Sequence, residues 1–319
     1  MTRRALLATG AATAALAATG GQASAASPAP TDRALAESLP GDFRSGYAEA
    51  NGTRLHYVSG GEGSPLVLLP GWPQTWWQFR KIMPALGERH RVIAVDLRGM
   101  GGSAKPAAGY DKKTMATDIV DLARTLGYDR VDVAGHDIGA MVAFSMAANH
   151  PGSVGKLSLL DVTHPDEGLY QLTLLPRPGQ SFYLWWFAFN QVTGLPEQLL
   201  TGRSRPLIDW LYGYMLHNPG AVDESARTVY AQAYSTPDAI RGGNGWYQAF
   251  GQDIIDSKTY SKLTLPSLVL ASATNHDYLA DTVSRQCANY RLVTIDNTGH
   301  YLTEEQPEAV VAELTAFFG

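Results

Sequence analysis

Short apolar runs alternate with longer segments of helical spacing along most of the chain. Runs rich in Val, Ile and Leu predict buried β-strands at 55–58, 66–69, 92–96, 131–134, 156–160, 268–270 and 292–295. Apolar residues three or four positions apart predict helices at 114–126, directly after residue 139 and at 307–318. Buried strands that alternate with helices indicate an α/β fold, with a mostly parallel sheet and helices on both faces.

Residues 166–250 break this alternation and hold 15 of the chain's 31 aromatic residues. We interpret them as a helical cap inserted into an α/β core formed by residues 46–165 and 251–319. Trp185, Trp186 and Phe187 are predicted to line an apolar substrate pocket beneath the cap. The alternative is an aromatic-rich helical core without a ligand role.

The first 25 residues have the features of an export signal. Arg3 and Arg4 precede a mildly apolar stretch, and Ala23-Ser24-Ala25 is typical of a cleavage site. We therefore expect a twin-arginine signal cleaved near Ala25 and a secreted protein; a basic N-terminus or an uncleaved anchor are the alternatives. Residues 26–45, rich in Pro, Ala and Ser, are predicted to be a mobile lead-in.

The composition of the chain limits the classes of molecule that we expect it to bind. Removing Arg3 and Arg4 lowers the 25 basic residues to 23 against 30 acidic ones, so the mature net charge is −7. This charge and the lack of a basic run argue against nucleic acid as a partner. After residue 25 no run reaches the roughly 20 apolar residues of a membrane span. Cys287 is the only cysteine, and no metal-ligand motif is present, so we predict neither a metal nor a cofactor.

The pentapeptide Gly135-His136-Asp137-Ile138-Gly139 joins a predicted strand to a predicted helix. Small residues on either side of a central nucleophile, at a sharp strand-to-helix turn, are typical of a nucleophile elbow. The central residue is usually Ser, but here it is Asp137. A carboxylate that attacks a saturated carbon forms an ester, which water can then cleave. The elbow therefore predicts alkyl transfer to Asp137 followed by hydrolysis.

Chain order after an elbow predicts an acid and then a histidine downstream. His300, in a loop after the last predicted strand, is the expected base. Asp277 is the favoured acid that orients it, and Asp161, at the end of an earlier strand, is the alternative. The backbone N–H groups of Trp72 and Ile138 are the predicted oxyanion donors.

The motifs together resemble the epoxide-hydrolase branch of the α/β-hydrolase superfamily. The resemblance covers about residues 45–319 and rests on Leu69–Trp77, Asp96–Ser103, the elbow, Leu195-Pro196-Glu197, Gly202–Arg205 and Gly299–Glu308. It implies an α/β-hydrolase fold, an aspartate nucleophile and two cap tyrosines that protonate the epoxide oxygen. Tyr247 matches the second tyrosine. The first falls on Trp185, and Tyr183, two residues away, is its candidate substitute.

Three other functions compete with epoxide opening. Hydrolytic dehalogenation of a haloacid or haloalkane would use the same nucleophile, but Ile138 and Met141 stand where the branch's dehalogenases carry anion-binding residues. A non-catalytic ligand receptor on the same fold is a more remote alternative. Gly99–Ala104 also scans as a dinucleotide fingerprint, which would indicate an NAD-dependent oxidoreductase, but Lys105-Pro106 follow where a helix should begin.

Overall fold

An eight-stranded sheet forms the centre of the protein. The computed structural model describes residues 29–179 and 183–319, and its strands are β1 (Arg44–Ala50), β2 (Thr53–Gly60), β3 (Ser64–Leu69), β4 (His90–Val95), β5 (Val131–His136), β6 (Val154–Leu160), β7 (Ser267–Ser272) and β8 (Tyr290–Ile295). Their order is β1-β2-β4-β3-β5-β6-β7-β8, antiparallel for β1 with β2 and for β2 with β4, and parallel elsewhere. The predicted α/β fold with a mostly parallel sheet is confirmed.

Helices cover the sheet and form an insertion within it. The described residues contain α1 (Asp32–Glu37), α2 (Met83–Leu86), α3 (Lys112–Thr125), α4 (Ile138–Asn149), α5 (Trp185–Gln191), α6 (Leu195–Leu200), α7 (Ser204–Met215), α8 (Glu224–Ala233), α9 (Pro237–Gln248), α10 (Phe250–Ser257), α11 (His276–Gln286), α12 (Leu302–Glu305) and α13 (Pro307–Phe318). Within this part of the chain, none of these helices is long and apolar enough to cross a membrane.

Both faces of the sheet are buried, as β3 illustrates. Leu66 and Leu68 pack on one face, in a cluster that includes residues of α1, α2 and α13. Val67 and Leu69 pack on the other face, against α3 and α4. Each fully buried side chain of this size contributes roughly 1.5–3 kcal/mol. Burial on both sides explains why the central strands are continuous apolar runs rather than alternating ones.

The insertion between β6 and β7 is helical and includes α5 to α10. The predicted cap, 166–250, falls within it, and helical structure continues beyond that boundary to Ser257. The insertion is joined to the core by buried polar contacts. Lys112 Nζ lies 2.7 Å from Asp253 Oδ2 with both side chains inaccessible to solvent, and the Trp246 indole N–H donates to the Arg98 carbonyl at 3.0 Å.

The segment expected to be a mobile lead-in is ordered from residue 29 onward, which corrects that prediction. Helix α1 is capped by the Thr31 side chain and buries Leu35 and Ala36. Asp32 Oδ1 accepts the Trp76 indole N–H at 2.8 Å. Two buried apolar residues on so short a helix give no readable period, which is why the sequence pattern missed it. The predicted export signal, residues 1–25, lies outside the described residues.

Candidate active site

The polar residues that the elbow motif predicts converge at one edge of the sheet. Parallel strands end at the same edge, so the loops that follow them meet there. Asp137 follows β5, Asp161 follows β6 and His300 lies beyond β8, while the loop with Trp72 follows β3. These loops bring together side chains that are far apart in the sequence.

Asp137 adopts a backbone conformation that few non-glycine residues tolerate. Its φ is 52° and its ψ is −123°, outside the main allowed regions. Glycine is required on both sides. A Cβ on Gly135 would lie 2.2 Å from the Gly139 carbonyl oxygen, and one on Gly139 would lie 2.0 Å from the Leu69 carbonyl oxygen. The elbow therefore needs its small residues for backbone packing, and the strained turn presents the Asp137 carboxylate to the cavity described below.

His300 lies between two carboxylates. Its Nε2 is 3.4 Å from Asp137 Oδ2, and its Nδ1 is 2.8 Å from Asp161 Oδ2. Because a carboxylate accepts hydrogen bonds, Nδ1 carries a proton. The arrangement has the geometry of a nucleophile, a base and an orienting acid.

Asp161, the alternative in the sequence, occupies the position expected for Asp277. Its buried carboxylate accepts hydrogen bonds from the Ser272 backbone N–H and the Asn275 amide, each at 2.7 Å, besides that from His300. Its φ of 58° turns the chain at the end of β6. Three donors hold this carboxylate in place, and Asn275 is a supporting residue that the sequence reasoning missed.

The prediction that Asp277 orients His300 is wrong. Helix α11 begins at His276, so Asp277 lies in its first turn, where an acidic residue favourably faces the helix N-terminus. Its side chain is fully exposed, and its contact is with His276 Nδ1 at 3.2 Å. The loop after β7 thus contributes Asn275 rather than an acid to the site.

Burial and charge act in opposite directions on the pKa of His300. Burial alone would lower this pKa, but hydrogen bonds to Asp137 and Asp161, together with their charges, raise it to about 9. Burial acts to raise the pKa of Asp137, but the hydrogen bond and charge of His300 outweigh it and lower this pKa below its ordinary value. At neutral pH His300 is therefore an imidazolium beside an ionised Asp137.

His136, inside the elbow, supports the His300 backbone and was also missed. Its Nε2 lies 2.8 Å from the His300 carbonyl oxygen, which accepts the N–H. Burial, and then the charge of His300, lower its pKa to about 3, so it stays neutral. The signal was present in the sequence, since His136 is adjacent to Asp137 in the motif.

One of the two predicted oxyanion donors contacts Asp137. The Trp72 backbone N–H donates to Asp137 Oδ1 at 3.0 Å. A Cβ on Gly71 would lie 2.3 Å from the Asp137 Cβ, so glycine permits this approach. The hydrogen bonds found among the described residues include none from the Ile138 N–H to this carboxylate. The role of Ile138 stays a prediction.

A cavity of about 280 Å³ opens onto Asp137 and His300. Its walls are largely apolar and come from both the core and the insertion: they include Met141, Leu169, Leu172, Leu184, Phe187 and Met215. Trp186 and Tyr247 also line it and are buried. Burial, followed by the charge of Asp137, raises the pKa of Tyr247 well above its ordinary value, and a hydrogen bond with Trp186 acts to lower it. Tyr247 and Trp186 are therefore the cavity side chains that correspond to the two cap donors expected from the sequence.

The described residues that line the cavity do not include Trp185 or Tyr183, contrary to prediction. The Trp185 ring packs against Trp210 at 5.3 Å. The Tyr183 ring packs against Tyr214 at 6.1 Å. Since neighbouring residues of a helix point about 100° apart, Trp186 rather than Trp185 faces the site.

Among the described residues that line the cavity, the charged ones are Asp137, Asp161 and His300, and none is a Lys or an Arg.

Elsewhere in the described ranges, Asp32, His56 and Asp96 are close enough to share a metal ion. They are, however, engaged with the protein: His56 Nδ1 is 2.8 Å from Asp96 Oδ2, and Asp96 Oδ2 also accepts the Gly102 N–H. The Gly99–Ala104 segment thus wraps a carboxylate, and the next helix begins only at Lys112, unlike a dinucleotide-binding turn.

Comparisons with known proteins find similar sequences and structures. A family model described as "alpha/beta hydrolase fold" matches residues 64–307. A soluble epoxide hydrolase from Corynebacterium sp. (strain C12) is 35% identical over 285 residues, which cover 85% of this chain and 96% of that protein. A fluoroacetate dehalogenase from Burkholderia sp. is 27% identical, covering 86% and 93%. The crystal structure of Cfl2 from Burkholderia cenocepacia superposes with a TM-score of 0.81 at 33% identity, covering 92% of this chain and all of that one.

The pKa of His300 gives a direct test of the site's geometry. We expect Asp161→Asn to lower it from about 9 towards its ordinary value, because one of the two neighbouring charges is lost. Asp277→Asn, the matched control, should leave it unchanged. An NMR titration of the imidazole resonances measures both. Equal shifts in the two variants would contradict the assignment of Asp161.

Proposed function

Since this chain belongs to the α/β hydrolase fold family and resembles its epoxide hydrolases over most of its length, we propose that it opens epoxides with water through an ester on Asp137. The observation that carries the proposal is the position of His300 Nε2, 3.4 Å from a carboxylate at the elbow. A carboxylate nucleophile calls for a substrate with an electrophilic saturated carbon, and an epoxide supplies one.

In the first step Asp137 Oδ2 forms a bond to an epoxide carbon. The ring C–O bond breaks, and its electron pair remains on the epoxide oxygen, which takes a proton from the Tyr247 hydroxyl. A phenol whose pKa is raised stays protonated until a stronger base, the developing alkoxide, appears. The Trp186 indole N–H, hydrogen-bonded to the Tyr247 hydroxyl, stabilises the phenolate that this transfer leaves.

In the second step water cleaves the ester. His300 Nε2 takes a proton from water, and the oxygen of that water adds to the ester carbonyl carbon. The carbonyl oxygen becomes an oxyanion that accepts the Trp72 N–H, and we expect the Ile138 N–H to donate as well. Collapse of this intermediate breaks the ester C–O bond, and the departing alkoxide oxygen takes the proton held by His300 to release the diol. The new acid on Asp137 then passes its proton to His300, which restores the carboxylate and the imidazolium.

Ester formation itself prepares His300 to act as a base. Before the reaction the two carboxylates hold the pKa of His300 at about 9, so the imidazole is protonated. Esterification removes the charge of Asp137 and leaves only Asp161. The pKa of His300 then falls, and its extra proton passes, directly or through solvent, to the Tyr247 phenolate left by the first step. The neutral imidazole can then accept a proton from water.

Hydrolytic dehalogenation is the second candidate, favoured by the fluoroacetate dehalogenase among the relatives. Trp186 and Tyr247 are also suitable donors for a departing halide. A haloacid would, however, bring a carboxylate into a cavity whose described walls hold two carboxylates and no Lys or Arg. The cavity's apolar surface and charges therefore support a neutral, apolar epoxide as the substrate.

Intact-mass measurement of a His300→Gln variant tests the function. Without its base the ester should accumulate when the protein is incubated with a panel of epoxides and haloacids. We expect an adduct with the mass of a whole epoxide. The double variant His300→Gln/Asp137→Asn, as control, should form none.

An adduct equal to a haloacid minus hydrogen halide would instead establish dehalogenation. A folded His300→Gln protein that forms no adduct with any epoxide would contradict the proposed reaction.

Tyr247→Phe tests the acid. Loss of the hydroxyl should slow ester formation by about 10²–10⁴-fold, the usual contribution of a general acid. Single-turnover kinetics, followed by mass, measures this step. Tyr183→Phe is the matched control and should have little effect, because Tyr183 does not line the cavity. A comparable loss in both variants would mean that Tyr247 is not the proton donor.

Export is a separate proposal that rests on residues 1–25 alone. We expect the protein recovered outside the cytoplasmic membrane to begin at Ala26, and Arg3→Lys/Arg4→Lys to retain it inside. N-terminal sequencing of the two fractions measures this. An exported protein that still begins at Met1 would argue against a cleaved signal.

A further inference from the structure

The backbone of His300 is attached both to the core and to the insertion. Its carbonyl oxygen accepts the His136 N–H from the core, as described above. Its backbone N–H donates to the Met215 carbonyl at 3.1 Å, and Met215 is the last residue of α7 in the insertion. The position of the base therefore depends on a part of the chain that lies outside the core.

The residue before His300 packs directly on the insertion. A Cβ on Gly299 would lie 2.0 Å from the Met215 carbonyl oxygen, so glycine permits this approach. Met215 is also one of the residues that line the catalytic cavity. The chain segment that includes this wall residue is thus in direct backbone contact with the loop of the base.

Glu305, the last residue of α12, makes a second connection between the same two segments. Its Oε2 accepts the Gly299 backbone N–H at 2.6 Å, and the Thr298 hydroxyl lies 3.2 Å from the same atom. Its Oε1 accepts the backbone N–H of Asn218, in the insertion, at 2.7 Å. Hydrogen bonds to an ionised carboxylate are stronger than those between neutral groups. One side chain thus ties the two residues before His300 to the insertion.

We propose that Glu305 is a positioning residue for the base and couples the insertion to hydrolysis of the ester. The proposal rests on the proposed function, in which His300 acts as a base only in the second step. Glu305 is not among the described residues that line the cavity. It acts through the backbone of residues 298–300, which sets where His300 Nε2 lies relative to the ester on Asp137. A misplaced base slows the step in which it takes a proton, whereas Asp137 and Tyr247 carry out the first step.

Glu305→Gln tests the two acceptor oxygens with a side chain of the same shape. The amide has one acceptor oxygen, and its NH2 group would face the backbone N–H of either Gly299 or Asn218. We expect ester hydrolysis to slow by about tenfold and ester formation to change by less than about twofold, because the loop of the base shifts and the elbow does not. With the protein in excess over an epoxide, the intact mass of acid-quenched samples gives the rates at which the ester appears and disappears.

Glu308→Gln is the matched control. It removes the same charge three residues further along, from an exposed side chain in the first turn of α13, so both rates should stay unchanged. Thr298→Val removes a hydroxyl next to the Glu305 carboxylate and should slow ester hydrolysis by a smaller factor. This variant covers the case in which Glu305→Gln fails to fold. Thermal melting establishes the folding of all three.

The outcomes separate this proposal from the proposed function. If the wild-type protein forms an ester with an epoxide but folded Glu305→Gln hydrolyses that ester at the wild-type rate, the positioning proposal fails and the proposed function stands. Equal slowing of both steps would also overturn it, since a merely structural role of Glu305 has that effect. If Glu305→Gln does not fold, an unchanged rate of hydrolysis in Thr298→Val overturns the proposal. If no epoxide forms an ester on the His300→Gln variant, the proposed function fails and the positioning proposal falls with it.

Discussion

The placement of one imidazole between two buried carboxylates is the constraint on which the rest of the site depends. His300 contacts Asp137 on one side and Asp161 on the other. Two carboxylates at close range would repel each other, and the imidazolium between them removes that cost. The same charge keeps Asp137 ionised in an apolar cavity, where burial alone would favour its neutral acid. The resting protein therefore holds an ionised Asp137 beside a protonated His300.

The sheet explains how three such groups come together. The strands that precede them, β5, β6 and β8, are parallel, so their carboxyl ends share one edge. Each group then depends on local backbone geometry, since Asp137 and Asp161 both have positive φ. Conformations of this kind persist only where the surrounding structure holds them. Around Asp161 the N–H of Ser272 and the amide of Asn275 have that effect.

The sequence was sufficient for features that depend on local pattern. The strand, the small residues and the helix around Asp137 are contiguous, so the elbow could be recognised without knowledge of the fold. The choice between Asp161 and Asp277 could not be made this way, because both follow parallel strands. It depended on where α11 begins, which carries Asp277 into solvent. The choice between Trp185 and Trp186 depended similarly on the rotation of α5 against the core, which adjacent identical residues do not reveal.

The proposed acid and the proposed nucleophile come from different parts of the molecule, so contacts between the core and the insertion set their separation. Tyr247 follows Trp246, whose carbonyl accepts the Lys112 ammonium at 2.8 Å and whose indole donates to the Arg98 carbonyl. Lys112 is also paired with Asp253, and both side chains are buried. A buried ion pair contributes little net stability relative to apolar residues, but loss of either partner is expensive. Such a pair is therefore suited to hold α9 in one position against the core. Burial of the pair also excludes water, so the position of Tyr247 relative to Asp137 does not rely on an exposed contact that solvent would weaken.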